Sequence, residues 1–219
     1  LNISIHDTDT DSLHLSDFGV AVYTHQIEYF GIAEVNKGTI ENCNVTMRID
    51  RKDQWSLNIG GIAQVNYGTI RDCIADLKVD VTATTGDLPG VWLGGIARSS
   101  SENSLIDHCL VLGHFNASGS KAHNISLSGI ASLSTDTARC TDSAFAMDKA
   151  EVLCQDQYYF SPAFQTWTGS VAGAENCRVA NDIPYQNIVT HNNPGNTQDP
   201  INEGGIFSGG PGYTLASRA

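Results

Sequence analysis

The sequence is short of charge, and the charge it carries is mostly of one sign. Only 16% of its 219 residues are Asp, Glu, Lys or Arg, where an ordinary soluble domain has about 25%. Twelve Lys and Arg stand against 24 Asp and Glu, a net charge of −12. No basic patch is available to neutralise a phosphate backbone, so a nucleic-acid partner is excluded on electrostatic grounds. No apolar run approaches the ~18–20 residues of a membrane-crossing helix, so membrane insertion is not expected. Clean helical periodicity is missing as well. The chain opens at Leu1 without a Met or a signal-peptide pattern, as an excised mature protein would.

Chemical signatures are equally scarce. The six cysteines include no C-x2-C pair, which leaves a structural zinc site unsupported. None of the seven histidines falls in an H-E-x-x-H helix, and no G-x-S-x-G elbow occurs. What fills the space is glycine, 21 residues of it, with serine, threonine and asparagine. That is a turn-rich β composition. Runs such as Cys73-Ile74-Ala75-Asp76-Leu77-Lys78-Val79 alternate with the period of a strand.

The chain also repeats. Gly31-Ile32-Ala33-Glu34-Val35-Asn36-Lys37-Gly38-Thr39-Ile40-Glu41-Asn42-Cys43 returns 30 residues later as Gly61-Ile62-Ala63-Gln64-Val65-Asn66-Tyr67-Gly68-Thr69-Ile70-Arg71-Asp72-Cys73. Looser copies run from Gly95-Ile96-Ala97 to Cys109 and from Gly129-Ile130-Ala131 to Cys140. A degenerate fifth is expected from Gly169-Ser170-Val171-Ala172 to Cys177. Apolar residues precede each glycine by two and four positions, and the next follows at an odd step, so the strand bends at the glycine. The Asn-x-Gly step is turn chemistry. One unit cannot cover its own apolar row, whereas units stacked ~4.8 Å apart bury every row in a continuous interior. The expected fold is all-β: a right-handed parallel β-helix, or β-solenoid, of about five coils with ~30-residue repeats. Ile32, Ile62, Ile96 and Ile130 are expected to form one ladder. Cys43, Cys73, Cys109, Cys140 and Cys177 are expected to form another, as buried free thiols.

The unit resembles the Glug motif, a glycine-rich repeat found in tandem in large secreted or surface-anchored bacterial proteins, among them some immunoglobulin A proteases and adhesin-like chains. Gly31–Asp50 and Gly60–Asp80 carry the match. Glu34 and Gln64 depart from it where many copies have a small residue, and serines replace the Asn-x-Gly turn near Arg98–Asn103. The resemblance implies a β-helical fold and a secreted or cell-surface location, and it carries no known chemistry.

Three features outside the repeat invite a role. Asp7, Asp9 and Asp11 alternate, and on an extended strand they would collect calcium, the one cofactor considered. An EF-hand loop counted from Asp7 fails at Ser12 and Phe18, and a solvated acidic stretch explains the same residues. Between Cys140 and Gly169 an insertion near 145–167 concentrates Tyr158, Tyr159, Phe160 and Trp167, either as a ligand contact or as a loop closing the coil edge. Asp72, Asp76, Asp80 and Asp107 sit at outward positions, where a carbohydrate-active β-helix would gather its acids.

The domain reading is an N-terminal cap and first strands at 1–30, repeats at 31–180, and an irregular C-terminal cap or linker at 181–219. The expected function is a non-catalytic secreted or cell-surface module, an adhesive surface or stalk, whose partners are a host glycan, a protein surface or other domains of its own chain. No catalytic residue is assigned. The rival is a polysaccharide lyase or glycoside hydrolase of β-helix type.

Overall fold

The computed structural model describes residues 1–7, 20–23, 26–52, 56–82, 87–88, 90–118, 121–122, 125–153, 159–161, 164–166, 173–183, 185–186, 201–202, 206–207 and 213–218. All regular structure among them is strand. The chain winds as a β-solenoid of four full turns and a fifth of shorter strands, each turn laying one strand on each of four parallel faces.

The entry face stacks Gln26–Phe30, Ser56–Gly60, Val91–Gly94, Ile125–Ser128 and Tyr159–Ser161. The second stacks Ala33–Asn36, Ala63–Asn66, Ala97–Ser100, Ala131–Leu133 and Phe164–Thr166. The third stacks Thr39–Glu41, Thr69–Arg71, Leu105–Asp107, Arg139–Thr141 and Ala174–Glu175. The fourth is the long face. Asn44–Lys52, Ile74–Thr82 and Leu110–Ser118 form its centre, with Asn2–Asp7 paired before them. Ala144–Phe145, Cys177–Ala180 and Tyr213–Ala216 carry it onward to the end of the chain.

The long face alternates strictly, odd-numbered Val45, Met47 and Ile49 facing in and Asn44, Thr46 and Arg48 facing out. Inward columns balance volume across turns: Phe115 is accommodated where Gly113 and Ala117 flank it on the same strand. Gly113 takes φ +102°, and a Cβ there would lie 1.9 Å from the carbonyl of Leu77. The expected isoleucine ladder is present: Ile62, Ile96 and Ile130 are fully buried, Ile32 partly, and the amides of Ile32, Ile62 and Ile96 each donate to the isoleucine carbonyl of the next turn at 2.7–2.9 Å.

Register corrects the expected cysteine ladder at its fourth member. Ile40 pairs with Ile70, Ile70 with Ile106, and Ile106 with Cys140, so Cys140 stands in an isoleucine column. The thiol column runs Cys43, Cys73, Cys109, Ser143, Cys177, because Leu110 pairs with Ala144 and Ala144 with Arg178. Cysteine and serine exchange there because the rung selects a small donor as well as a small volume. Cys43, Cys73, Cys109, Ser143 and Cys177 each donate to the carbonyl two residues earlier, at 3.1, 3.1, 3.3, 2.9 and 3.5 Å. Cys43, Cys73, Cys109, Cys140 and Cys177 are all buried free thiols.

The insertion near 145–167 is corrected too. Lys149–Leu153 pairs with His114–Ser118 and continues the long face, one extra residue having entered after Phe145. Tyr159–Ser161 pairs with Ser126–Ser128, and Phe164–Thr166 with Ala131–Leu133. The fifth turn therefore opens at Tyr159 and not at Gly169, 33 residues after the matching position of the fourth. Of the C-terminal stretch, Tyr213–Ala216 pairs with Cys177–Ala180 on the long face. Arg218 donates to Asp182 at 2.8 Å and to Asp148 at 2.7 Å, tying the last strand to the fourth turn.

Candidate functional site

Where the third face hands over to the long face, the chain must turn sharply while keeping the next side chain inside. It does so with one residue in the left-handed region per turn: Asn42, Asp72, His108, Asp142 and Asn176, with φ between 49° and 55°. Asn, Asp and His are the non-glycine residues that enter this region most readily. The preceding residues, Glu41, Arg71, Asp107, Thr141 and Glu175, face outward beside them. Two columns of short polar side chains thus run along one corner, a rung every ~4.8 Å.

Rungs are linked across turns. Arg71 Nε donates to Glu41 Oε2 at 2.7 Å, and a second guanidinium nitrogen meets the same oxygen. Thr141 Oγ1 donates to Asp107 Oδ1 at 2.5 Å, and His108 Nδ1 lies 2.9 Å from Asp107 Oδ2. Asp107, His108 and Asp142 place their ligand atoms within 4.8 Å of one another. The last rungs border a groove of about 690 Å³ lined by Asp142, Glu175, Asn176, Cys177, Arg178 and Tyr213 among others.

The corner perturbs its own titrations. Asp107 hydrogen-bonds the His108 ring and holds its pKa above the ordinary histidine value, and the charges of Asp142 and Asp72 act the same way. Partial burial raises Asp107, but the Thr141 hydroxyl and His108 outweigh it and leave the carboxyl below its usual value. The stabilising contribution of His108 is therefore fully present below pH ~6.5 and lost as pH rises through its elevated folded value. That of Asp107 is present above pH ~3.9 and lost as pH falls through its depressed one. We expect the His108 ring proton resonances to titrate with a midpoint above 6.5, and Asp107→Asn to bring it back toward 6.5. An unchanged midpoint in the variant would separate the two side chains.

A second concavity follows the glycine bend. Asn58 and Gly60 face outward on the entry face, and a Cβ on Gly60 would lie 2.0 Å from the Ala63 carbonyl, so the outer surface folds in on itself there. Gln64, buried, donates to the carbonyls of Asn58 and Tyr29 at 2.7 and 2.8 Å and accepts from Arg98 at 3.0 Å. This explains the departure from a small residue at Gln64. Trp92, Arg98, Ser126 and Ser132 line a notch of about 40 Å³ in the next turns, far below the ~300–1,000 Å³ of a small-molecule pocket.

Among the described residues, the acids singled out from sequence divide between the corner and the long face. Asp7 ends a strand paired to Ile49, while Asp9 and Asp11 lie outside the described residues. Tyr158 and Trp167 also lie outside them; the strand containing Tyr159 and Phe160 is described, but their side chains are not. Asp72 and Asp107 are on the corner, whereas Asp76 and Asp80 stand on the long face. Asp76 pairs with Lys78 at 3.6 Å, and Asp80 lies 3.0 Å from His114 and accepts from Asn116 at 3.3 Å. Sequence reading missed the corner ribbon as a unit, although part of its signal was available: a polar residue immediately before Cys43, Cys73, Cys109 and Cys177. Compared with protein-family models, curated proteins and solved structures, the chain matches none.

Proposed function

We propose that the chain is a non-catalytic module of a secreted or cell-surface bacterial protein, built of Glug-type repeats, which carries a binding face along a rigid stalk. The observation behind this reading is the corner ribbon. Five successive turns present a polar side chain at the same left-handed position, in register, and the row leads into the groove beside Arg178. Regularly spaced donors and acceptors on a stiff backbone suit an extended polar partner, such as a glycan chain, because the face loses little freedom on binding. The long face supports the stalk role: it pairs without a break from Asn2–Asp7 to Tyr213–Ala216.

The test is binding of the purified chain to host cells and to immobilised glycans. Asp142→Asn and Arg178→Gln together remove one charge of each sign from the groove while keeping a left-handed-tolerant residue at 142. The pair is expected to lower binding about tenfold, a loss of ~1.4 kcal/mol, with the melting temperature unchanged. Undiminished binding would remove the corner from the reading. Release of reducing ends from a polysaccharide panel would establish the carbohydrate-active rival instead.

A further inference from the structure

The fourth turn departs from the repeat at two positions at once. Where the three preceding turns have isoleucine, it has Cys140, and where they have cysteine, it has Ser143. Each change alone would be a tolerated swap of small or apolar groups. Together they move a thiol from one corner column to the next. In the regular turns the ladder thiol faces an isoleucine carbonyl of the turn before, Cys73 toward Ile40 at 3.9 Å and Cys109 toward Ile70 at 3.7 Å. In the fifth turn the corresponding thiol, Cys177, meets sulfur: its Sγ lies 3.7 Å from Cys140 Sγ and 3.5 Å from the Cys140 carbonyl. Members of the ladder proper stack with parallel Cβ vectors, which suits a disulfide poorly. Cys140 and Cys177 approach from different columns and are already in van der Waals contact.

We propose that Cys140 and Cys177 are an oxidisable pair that closes into a disulfide and locks the fourth turn to the fifth. The chemistry balances with a peroxide as oxidant. The Cys177 thiolate attacks one peroxide oxygen, the O–O bond breaks, and a sulfenic acid forms with loss of water. The Cys140 sulfur then attacks the Cys177 sulfur, the S–O bond breaks, and a second water leaves carrying the Cys140 proton. Two thiols and one hydrogen peroxide become one disulfide and two waters.

Geometry assigns the order of events. Both thiols are buried, but Cys177 lies directly behind the wall of the groove beside the last corner, whereas Cys140 is not among the groove's lining residues, so a local opening exposes Cys177 first. Hydrogen bonding with Cys140 holds the Cys177 pKa below its ordinary value, while burial and Cys177 itself push Cys140 up. Cys177 is thus the attacking thiolate and Cys140 the resolving thiol. The inference stands apart from the binding reading above, since it concerns the interior of the last two turns, and a secreted location would supply an environment in which such a bond persists.

The experiment treats the native full-length chain with hydrogen peroxide, then denatures it without reductant and counts thiols. The wild type is expected to fall from six titratable thiols to four, with tandem mass spectrometry placing the bond between Cys140 and Cys177. Its melting temperature should rise by ~5–10 °C and return on adding dithiothreitol. Cys140→Ile, which restores the residue of the other turns, and Cys177→Ser, which copies Ser143, should each keep all five remaining thiols. A bond mapped elsewhere, such as Cys73 to Cys109, overturns the proposal. So does a reversible loss of two thiols that persists in both variants, or a wild type that keeps all six.

Discussion

Gly61→Ala is expected to cost the solenoid about 4 kcal/mol or more, and Gly61→Val to leave no folded protein. A Cβ at this position would lie 1.9 Å from the carbonyl oxygen of Gly95 in the next turn and 2.9 Å from the Cβ of Ala75. Neither neighbour can retreat. The Gly61 amide donates to Gly94 at 3.1 Å and Ile62 to Ile96 at 2.8 Å, so the two turns are bonded on both sides of the clash. The same approach recurs at Gly31 and Gly95, where added Cβ atoms would lie 2.3 and 2.0 Å from the following carbonyl. The Asn-x-Gly glycines supply an internal control. Gly68 packs on the Gly38 carbonyl, 2.1 Å from an added Cβ, whereas a Cβ on Gly38 meets nothing within 4 Å. Gly38→Ala should be neutral or stabilising by ~0.5 kcal/mol, and Gly68→Ala strongly destabilising. Thermal unfolding followed by circular dichroism reads both. A Gly61→Ala chain melting within a few degrees of wild type would mean that the turns do not stack in this register.

The contrast between Gly38 and Gly68 also marks what sequence can and cannot carry. The two occupy the same letter of the same motif, and both read as turn glycines. Only stacking distinguishes them, since Gly38 belongs to the first turn and, among the described residues, no turn precedes it on that face. The bend at Gly31, Gly61 and Gly95 was readable from the broken alternation of apolar residues, but its cause is a close approach between turns, which one repeat cannot express. Turns one and two were legible because 30-residue spacing brings identical letters into line. The fifth was not, because its letters differ: Ser161 and Phe164, whose pairing sets the register, are separated in sequence by Pro-Ala and not by Gly-Ile.

Cys140 illustrates a different failure. In sequence, Cys140 aligns as the fourth rung, since residue identity alone places it there. Hydrogen bonding decides otherwise: Ser143 Oγ donates to the Thr141 carbonyl at 2.9 Å, as each ladder thiol does two residues back, and it accepts from the Cys109 amide at 3.1 Å. Reading the cysteines as small apolar side chains alone hid a donor requirement that serine meets equally well. The corner ribbon escaped notice for a related reason. Asn42, Asp72, His108, Asp142 and Asn176 share a backbone conformation and not a side chain, so letter-by-letter comparison sees variation where the fold sees one position.

Asn66→Ala is expected to destabilise the chain by about 3 kcal/mol, the largest effect of any single polar side chain among the described residues. Asn66 is fully buried and sits at the centre of a ladder that replaces apolar packing inside the second corner. Its Oδ1 accepts from Asn36 at 2.8 Å and from the Gly68 amide at 3.1 Å, and its Nδ2 donates to Ser100 at 3.3 Å and to the Leu105 carbonyl at 3.4 Å. Truncation leaves the Gly68 amide and the Leu105 carbonyl, both part-buried, without these partners, toward the lower end of the ~1–3 kcal/mol that each group left unmet costs. Asn36 repeats the motif at the end of the ladder: its Oδ1 accepts from the Gly38 amide at 3.0 Å, and its Nδ2 donates to Asn66 and to the Thr69 carbonyl at 3.1 Å. It is slightly more exposed than Asn66, and its Oδ1 accepts from no neighbouring asparagine among the described residues, so Asn36→Ala should cost less. The third turn shows how the position can be rebuilt: Ser100 continues the ladder and bonds Ser104 at 2.8 Å, so Asn66→Ser should fall between wild type and alanine. Urea unfolding of the three variants orders them. Equal costs for Asn36→Ala and Asn66→Ala would mean that each asparagine serves its own turn alone and that no ladder joins the turns.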